Sequence, residues 1–315
     1  MNRLVSIIVP IYNESNFLDS FFSMIDHLTY PWIELIMIDD GSTDDSWHRL
    51  QRQAEISPDV HIIHQKNSGV STARNAGLQV AKGEFVVFAD ADDCFEPEYV
   101  TSLVNTLVAE QVQLVVCGYT EFSDISGELF RHSEITQRQP LDVAIQRVVT
   151  HHCMCSALWN KIFVAKIIRK HQIYFDAHIA IGEDLLFVIQ YISHIKTWCE
   201  ISDVLYHYRI SSQGTMQNYK TVKKFDPKWL SEWQALDKAE ASLKDALENH
   251  KFNLKALREK RLHVAIKLLG RIRKFHYQTV MKSMMSKYVR KNLLKIVTST
   301  QFSFRQKVKA VLVSL

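Results

Sequence analysis

Three clusters of carboxylate and polar side chains carry the chemical potential of this chain. Asp90-Ala91-Asp92-Asp93 packs three carboxylates into four residues, Asp39-Asp40 sets two side by side, and Pro10-Ile11-Tyr12-Asn13-Glu14 ends in another. Like charges so close repel one another unless a cation neutralises them. An all-oxygen ligand set suits Mg²⁺ or Mn²⁺, usually shared with substrate phosphates. The chemistry to expect is a divalent ion with a diphosphate ligand. No glycine-rich loop of the Walker or dinucleotide type is present, so metal and side chains must hold the phosphates. Taken singly, each cluster also reads as a helix cap or turn.

The elements that must position these clusters are legible as apolar runs. Residues 4–9, 33–38, 60–64, 85–88 and 112–117 are short and rich in Val, Ile and Phe, as strands buried on both faces are. Between them lie helical patterns. One follows a Ser15 cap with Leu18, Phe21, Phe22, Ile25 and Leu28 on one face, and one runs through Thr43-Asp44-Asp45. A third covers residues 70–81 and is closed by Gly83; a fourth carries Pro97 in its first turn. This alternation predicts a mainly parallel, mixed sheet with helices on both faces. Ligands of such sheets bind beyond the carboxyl ends of the strands, where all three clusters fall. Residues 120–139 read as a surface excursion, 141–149, 157–170 and 183–195 as helices, and 204–210 as a strand. Beyond Tyr219 the 3–4 spacing of apolar residues reads as helix throughout, and no internal repeat is found.

Composition closes other doors. The chain has 315 residues, 47% hydrophobic and 23% charged, ordinary for a globular protein. No apolar stretch approaches the length of a membrane span, and the apolar start runs into Tyr12-Asn13-Glu14 without a cleavage pattern. Five Cys make no framework, so a reduced, cytoplasmic protein is expected, with room for peripheral attachment to the inner face of a membrane. His151-His152-Cys153-Met154-Cys155 lacks a second cluster to complete a zinc site, and its two Cys read as small buried side chains. Charge divides the chain. Residues 1–219 hold 15 Lys and Arg against 27 Asp and Glu, a net −12, and residues 220–315 hold 23 against 7, a net +16. Two domains are expected, 1–220 and 221–315. The second would serve acceptor binding, homo-oligomerisation or an anionic membrane surface. Nucleic acid is not expected, because aromatics are not interleaved with the charges.

Read in order, four segments resemble the family 2 inverting glycosyltransferases with the GT-A fold. They are Val5-Ser6-Ile7-Ile8-Val9-Pro10-Ile11-Tyr12-Asn13-Glu14, Ile38-Asp39-Asp40-Gly41-Ser42-Thr43-Asp44, Asn67-Ser68-Gly69-Val70-Ser71-Thr72-Ala73-Arg74-Asn75-Ala76-Gly77 and Asp90-Ala91-Asp92-Asp93. The resemblance runs over residues 4–100 and more weakly to about residue 213. It implies a nucleotide-sugar donor, usually a UDP-sugar, and a divalent cation, Mn²⁺ or Mg²⁺. Pro10, Tyr12 and Glu14 would border the nucleotide, Asp40 with Asp39 would bind uracil, and Asn67 and Arg74 would hold base and phosphate. Asp90 would face the ribose and Asp92 would ligate the metal, with Asp93 a second ligand.

Ile181-Gly182-Glu183-Asp184 is similar to the family's Glu-Asp motif, which makes Asp184 the catalytic base, with Glu183 beside it. Inverting transfer needs one carboxylate to take the acceptor hydroxyl's proton, while the cation absorbs the charge of the leaving diphosphate. The plain alternative is a pair of acids favouring a helix N-terminus. Trp159-Asn160-Lys161 resembles a segment on the acceptor side, or is a Trp packed in the core. Tyr206-His207-Tyr208-Arg209 resembles the late segment near the diphosphate. There Arg209 offers a fork of donors to phosphate and His207 could complete the metal shell; otherwise it is a surface strand. The reading is a metal-dependent inverting glycosyltransferase acting on a glycan, lipid-linked or glycoprotein hydroxyl. The alternatives are a Mg²⁺-dependent nucleotidyltransferase and a scaffold with a decayed transferase domain.

Overall fold

The computed structural model describes residues 3–123, 127–133, 137–139, 141–150, 154–210, 224–246 and 253–314. The first part alternates strand and helix: β1 (Val5–Ile11), α1 (Leu18–Asp26), β2 (Ile33–Asp39), α2 (Ser46–Ile56), β3 (Val60–His64), α3 (Val70–Val80), β4 (Phe85–Phe88), β5 (Cys94–Phe95), α4 (Tyr99–Ala109) and β6 (Leu114–Ser123). Then come β7 (Gly127–His132), β8 (Gln137–Gln139), α5 (Leu141–Val149), β9 (Lys161–Val164), α6 (Ala165–Lys170), α7 (Glu183–Ile192) and β10 (Trp198–Arg209). Helices complete the chain: α8 (Leu230–Ala246), α9 (Lys255–Lys274), α10 (Met281–Lys291), α11 (Leu293–Thr298) and α12 (Phe304–Ser314).

The strands form one mixed sheet in the order β3-β2-β1-β4-β9-β6-β10-β5, with β7 beside β6 and β8 beside β10. β3, β2, β1 and β4 are parallel, as are β6 and β10, while β9 runs antiparallel between β4 and β6. Side chains alternate through β1, β2 and β4. Val5, Ile7, Val9, Leu35, Met37 and Val87 enter one buried cluster, and Ile8, Ile36, Ile38, Val86 and Phe88 enter the other. That second cluster continues without a break through α7 into Trp229, Leu236, Leu257 and Leu268 of the C-terminal helices.

Four local expectations give way to the structure. Residues 157–170 are not one helix: Lys161–Val164 is strand β9, with Phe163 opposite Val86 of β4 and Leu114 of β6. Three apolar residues behind a lysine have no periodicity of their own, and pairing on both sides decides the strand. Residues 120–139 are not a plain excursion, because β6 extends to Ser123 and turns into the antiparallel β7. Ser15 does not cap α1, whose N-cap is Phe17 without a side-chain bond. Nor does Gly83 close α3, which ends at Ala81. Gly83 is needed for closeness instead. A Cβ there would lie 2.5 Å from Ser6 Oγ, and its N–H donates to Ser6 Oγ and Glu34 Oε1 at 2.9 Å each.

The α8–α9 seam is fixed by charge as well as by apolar packing. Glu240 on α8, nearly buried, accepts from Arg258 Nε and Arg261 Nη1 at 2.9 Å each, and Arg261 also lies over the Trp233 and Tyr288 rings. Burial pushes the Glu240 carboxyl up, but the two arginine hydrogen bonds outweigh it and hold the group below its usual value. Glu240→Ala is expected to cost about 1–2 kcal/mol in urea unfolding at pH 7, since it removes the carboxylate shared by Arg258 and Arg261, although Arg261 keeps Asp237 and Arg258 is half exposed. A depressed carboxylate stabilises above its unfolded value and loses that contribution as pH falls through the folded one. The gap between variant and wild type should therefore narrow below about pH 4. A gap that is absent at pH 7, or that grows in acid, would remove this role.

Candidate active site

The carboxyl ends of β1, β2 and β4 meet where the strand order reverses about β1, so their following loops share one crevice. These loops are tied together by their own backbones. Asn13 takes the left-handed conformation, its N–H donates to Ser42 Oγ at 3.0 Å, and its Oδ1 accepts from Thr43 N at 2.7 Å. Asp40 accepts from Ser68 N, Gly69 N and Gln65 Nε2 at 2.7–2.8 Å, which fixes the approach to α3. The crevice opens into a cleft of about 720 Å³.

Of the residues singled out from sequence, Pro10, Tyr12, Glu14, Asp40, Arg74, Asp90, Asp92, Glu183 and Asp184 line this cleft. Asp39, Asn67, Asp93, His207 and Arg209 do not. Asp39 is fully buried, with His64 Nδ1 2.7 Å from Oδ2 and Oδ1 without a partner. Asn67 is exposed, its backbone against Gly41. Asp93 is buried, accepting from Tyr206 Oη at 2.8 Å and Arg209 N at 2.7 Å. Burial and the neighbouring Asp90 and Asp92 push its carboxyl well above the usual range. Arg209 Nε donates to the Asp92 carbonyl at 2.6 Å, and its guanidinium lies against the Phe17 and Phe122 rings. Arg209 and Asp93 thus brace the Asp92 turn from behind. His207 sits with Nδ1 at 2.7 Å from Thr120 Oγ1 and Nε2 at 2.9 Å from Glu96 Oε1, on the opposite side of β10 from Tyr208. Of His151-His152-Cys153-Met154-Cys155, whose Cys were expected to be small buried side chains, the first three lie outside the described residues, while Met154 is buried and Cys155 only half-buried.

Arg74 is the pivot of the cleft. It is nearly buried on α3, and its Nη1 donates to Asp184 Oδ1 at 2.6 Å while Nη2 lies 3.5 Å from Asp90 Oδ1. Asp184 stands in the first turn of α7, entered through Gly182 at φ +89°, a conformation that favours glycine. Burial pushes the Asp184 carboxyl up, and Arg74 draws it back part of the way. Glu183 is pushed up to about 7 by burial and by Asp184. Burial and Asp90 push Asp92 up to about 6, and burial with Asp92 and Asp90 pushes Glu14 up to about 8. The cleft therefore concentrates like charge in a partly desolvated place.

Two walls complete the cleft, and their particular contacts were not legible in the sequence. Tyr206, Trp159 and Tyr208 form a parallel stack with centroids 4.7 and 5.3 Å apart, and Trp159 and Tyr208 reach the cleft. Beneath them the fully buried Lys161 donates to the carbonyls of Cys155 and Ala157 and to Asn160 Oδ1 at 2.7–2.8 Å, so Asn160 and Lys161 fasten the loop that floors the cleft. The second wall comes from the C-terminal helices. Glu232, Ala235 and Leu236 of α8 and Lys260 of α9 face the same cleft, and Ser231 Oγ accepts from Ile181 N at 2.9 Å. Nothing in the sequence pattern joins α8 to the loop before α7; only packing does.

A doubly wound sheet whose switch point opens onto clustered carboxylates belongs with the α/β folds that carry a ligand crevice at the carboxyl ends of their strands. The sequence profile of Glycosyl transferase family 2 matches residues 6–172, more than half of the chain, and the chain belongs to this family of glycosyltransferases. EpsH of Bacillus subtilis, assigned as a glycosyltransferase, is 29% identical over 222 residues, covering 69% of this chain and 63% of EpsH. The chain thus spans less than two thirds of that relative's length. Residues 1–349 of S. aureus TarS, solved with UDP, share the fold with a TM-score of 0.68 at 15% identity, over 99% of this chain and 89% of that one. The mannosyltransferase PcManGT of Pyrobaculum calidifontis, solved with GDP-Man and Mn²⁺, gives 0.55 at 18% identity, over 100% of this chain and 87% of its own. The expected GT-A fold followed by helices is what the chain adopts.

Proposed function

We propose that the chain transfers a sugar, with inversion, from a UDP-sugar to a hydroxyl of a glycan, lipid-linked or glycoprotein acceptor. The observation that carries this reading is that Asp92 and Asp184 open onto one cleft, with Arg74 held between Asp184 and Asp90. TarS was solved with UDP and PcManGT with Mn²⁺, which favours a nucleotide donor and a divalent ion here too. Asp92, Asp90 and Glu14 line that cleft, and burial with their mutual charge pushes Asp92 up to about 6 and Glu14 up to about 8, a repulsion that a cation would relieve. Among the described residues no three His, Cys, Asp or Glu side chains form a ready cage. Carboxylate oxygen suits Mg²⁺ or Mn²⁺ shared with substrate phosphates. Asp92 would hold the ion, and bound there it would offset the charge of the departing diphosphate.

The chain's own residues do the rest. Tyr12, Glu14 and Asp40 border the nucleotide, and Arg74 sets the Asp184 carboxylate. Asp184 accepts the proton of the acceptor hydroxyl as its oxygen bonds the anomeric carbon and the bond from that carbon to the diphosphate oxygen breaks. Lys260, Glu232 and Tyr208 border the acceptor's side. Calorimetry of UDP in Mn²⁺ tests the donor end. Asp92→Asn is expected to weaken binding at least tenfold, about 1.4 kcal/mol, while the thermal midpoint without ligand holds. Unchanged affinity would take Asp92 out of the site. Release of pyrophosphate from a nucleoside triphosphate, in place of UDP from a UDP-sugar, would favour nucleotidyl transfer.

A further inference from the structure

The last three helices combine two features that seldom share one surface. Residues 260–315 contain no Asp or Glu at all, and 276–315 alone carry eight Lys and Arg. The same stretch exposes large apolar side chains at helical spacing. On α12 Phe304, Val308, Val311 and Leu312 follow i, i+4, i+7, i+8 and are 81, 43, 39 and 51% exposed. Leu294 on α11 is 78% exposed, and Met284 on α10 57%. These are not core faces turned out by misfit. Each helix separately buries its own inward set, Met285 and Val289, Ile296, and Ala310 respectively, and α12 packs on α9, α10 and α11. The outward apolar residues are a second face, interspersed with the exposed Lys282, Lys287, Lys291, Lys295 and Arg305.

We infer that α10–α12 form a docking surface for an anionic lipid bilayer. Basic side chains gain roughly 1 kcal/mol each near an anionic leaflet, and apolar side chains between them enter the headgroup boundary. Charge decides against a two-fold pairing of this surface with itself, which would set cation facing cation with no acid on either side. Among the described residues no helix is long and apolar enough to cross a membrane, so the contact is adsorption. α9, on which α10 and α12 pack, also supplies Lys260 to the cleft. The surface would thus hold the acceptor wall of the cleft near the bilayer, which suits a lipid-linked acceptor.

Sedimentation of the full chain with vesicles tests this without using activity, so its outcome is independent of the transfer reading. The chain is expected to bind phosphatidylcholine vesicles containing about a third phosphatidylglycerol at least tenfold more tightly than pure phosphatidylcholine, and to release between about 0.1 and 0.5 M NaCl. L294S/F304S removes apolar contact and K295E/R305E reverses charge, and each should weaken anionic binding about tenfold or more. All four side chains are exposed, and the two pairs are independent, so one failing to fold leaves the other to report. No binding to anionic vesicles would overturn the inference. So would equal binding to neutral ones, indifference to both variants, or a vesicle-free dimer that L294S/F304S abolishes.

Discussion

Asp184→Asn is expected to lower the rate of transfer by about 10²–10⁴-fold while UDP affinity stays within about twofold of wild type. The amide cannot take a proton, yet its Oδ1 can still accept from Arg74 Nη1, which lies 2.6 Å from the carboxylate it replaces. The shape of the site and the position of Arg74 should therefore survive, and only the proton transfer is removed. Burial raises the affinity of Asp184 for a proton and Arg74 lowers it. The balance suits a base that must be ionised before the reaction and able to hold a proton during it. Glu183→Gln is the control and should do much less. Normal transfer by Asp184→Asn would end its role as base. A parallel loss of UDP binding would move it to the donor site or the fold.

Arg74→Met should be the most damaging single change to both stability and catalysis. The side chain is nearly buried, its guanidinium also lies 5.5 Å from the Phe175 ring, and its Nε has no hydrogen-bond partner. Removing it leaves the Asp90 and Asp184 carboxylates without the cation between them. Breaking one side of a buried ion pair costs about 3–5 kcal/mol, which urea unfolding at neutral pH would read directly. The transfer rate should fall by about 10³-fold or more, since Asp184 is then neither oriented nor held ionised. Arg74→Lys separates charge from geometry. It restores the cation but not the fork that reaches both carboxylates, so stability should recover more than rate. Wild-type stability in Arg74→Met would refute the pivot.

The strands most legible in the sequence share one physical property: they are parallel and buried on both faces. β1, β2 and β4 are largely apolar runs because neither face meets water, whereas β3, at the sheet edge, keeps His61 and His64 exposed. The residues just past such a run are therefore identifiable as a strand end. Beyond that end the alternation of side chains loses its template. Asp39 and Asp40 are neighbours, yet one is sealed beneath His64 and the other reaches the cleft. Asp92 and Asp93 divide in the same way, and so do His207 and Tyr208 on β10. Pattern locates the carboxylates; which of two adjacent ones faces the ligand depends on loop geometry. β9 escaped notice because three apolar residues after Lys161 carry no period. The walls built from Glu232 and Lys260 escaped because contacts between distant helices leave no local trace.

β9 also determines when the sheet can close. It lies between β4 and β6, so among the described residues the strand ladder that ends with β4 joins the one built on β6 and β10 through residues 161–164. A growing chain finishes β4 at Phe88 and must wait some seventy residues for its neighbour, several seconds at about 5–20 residues per second on a ribosome. Throughout that interval a fully apolar strand presents an open edge, a template for any other unpaired strand. Pairings between segments so far apart are slow to find in any case, because loop closure must precede the contacts that reward it. In the nascent chain the most perishable structure is therefore the strand that ends beside Asp90 and Asp92. It is shielded only when β9 arrives, and the brace behind Asp92 only when β10 brings Arg209.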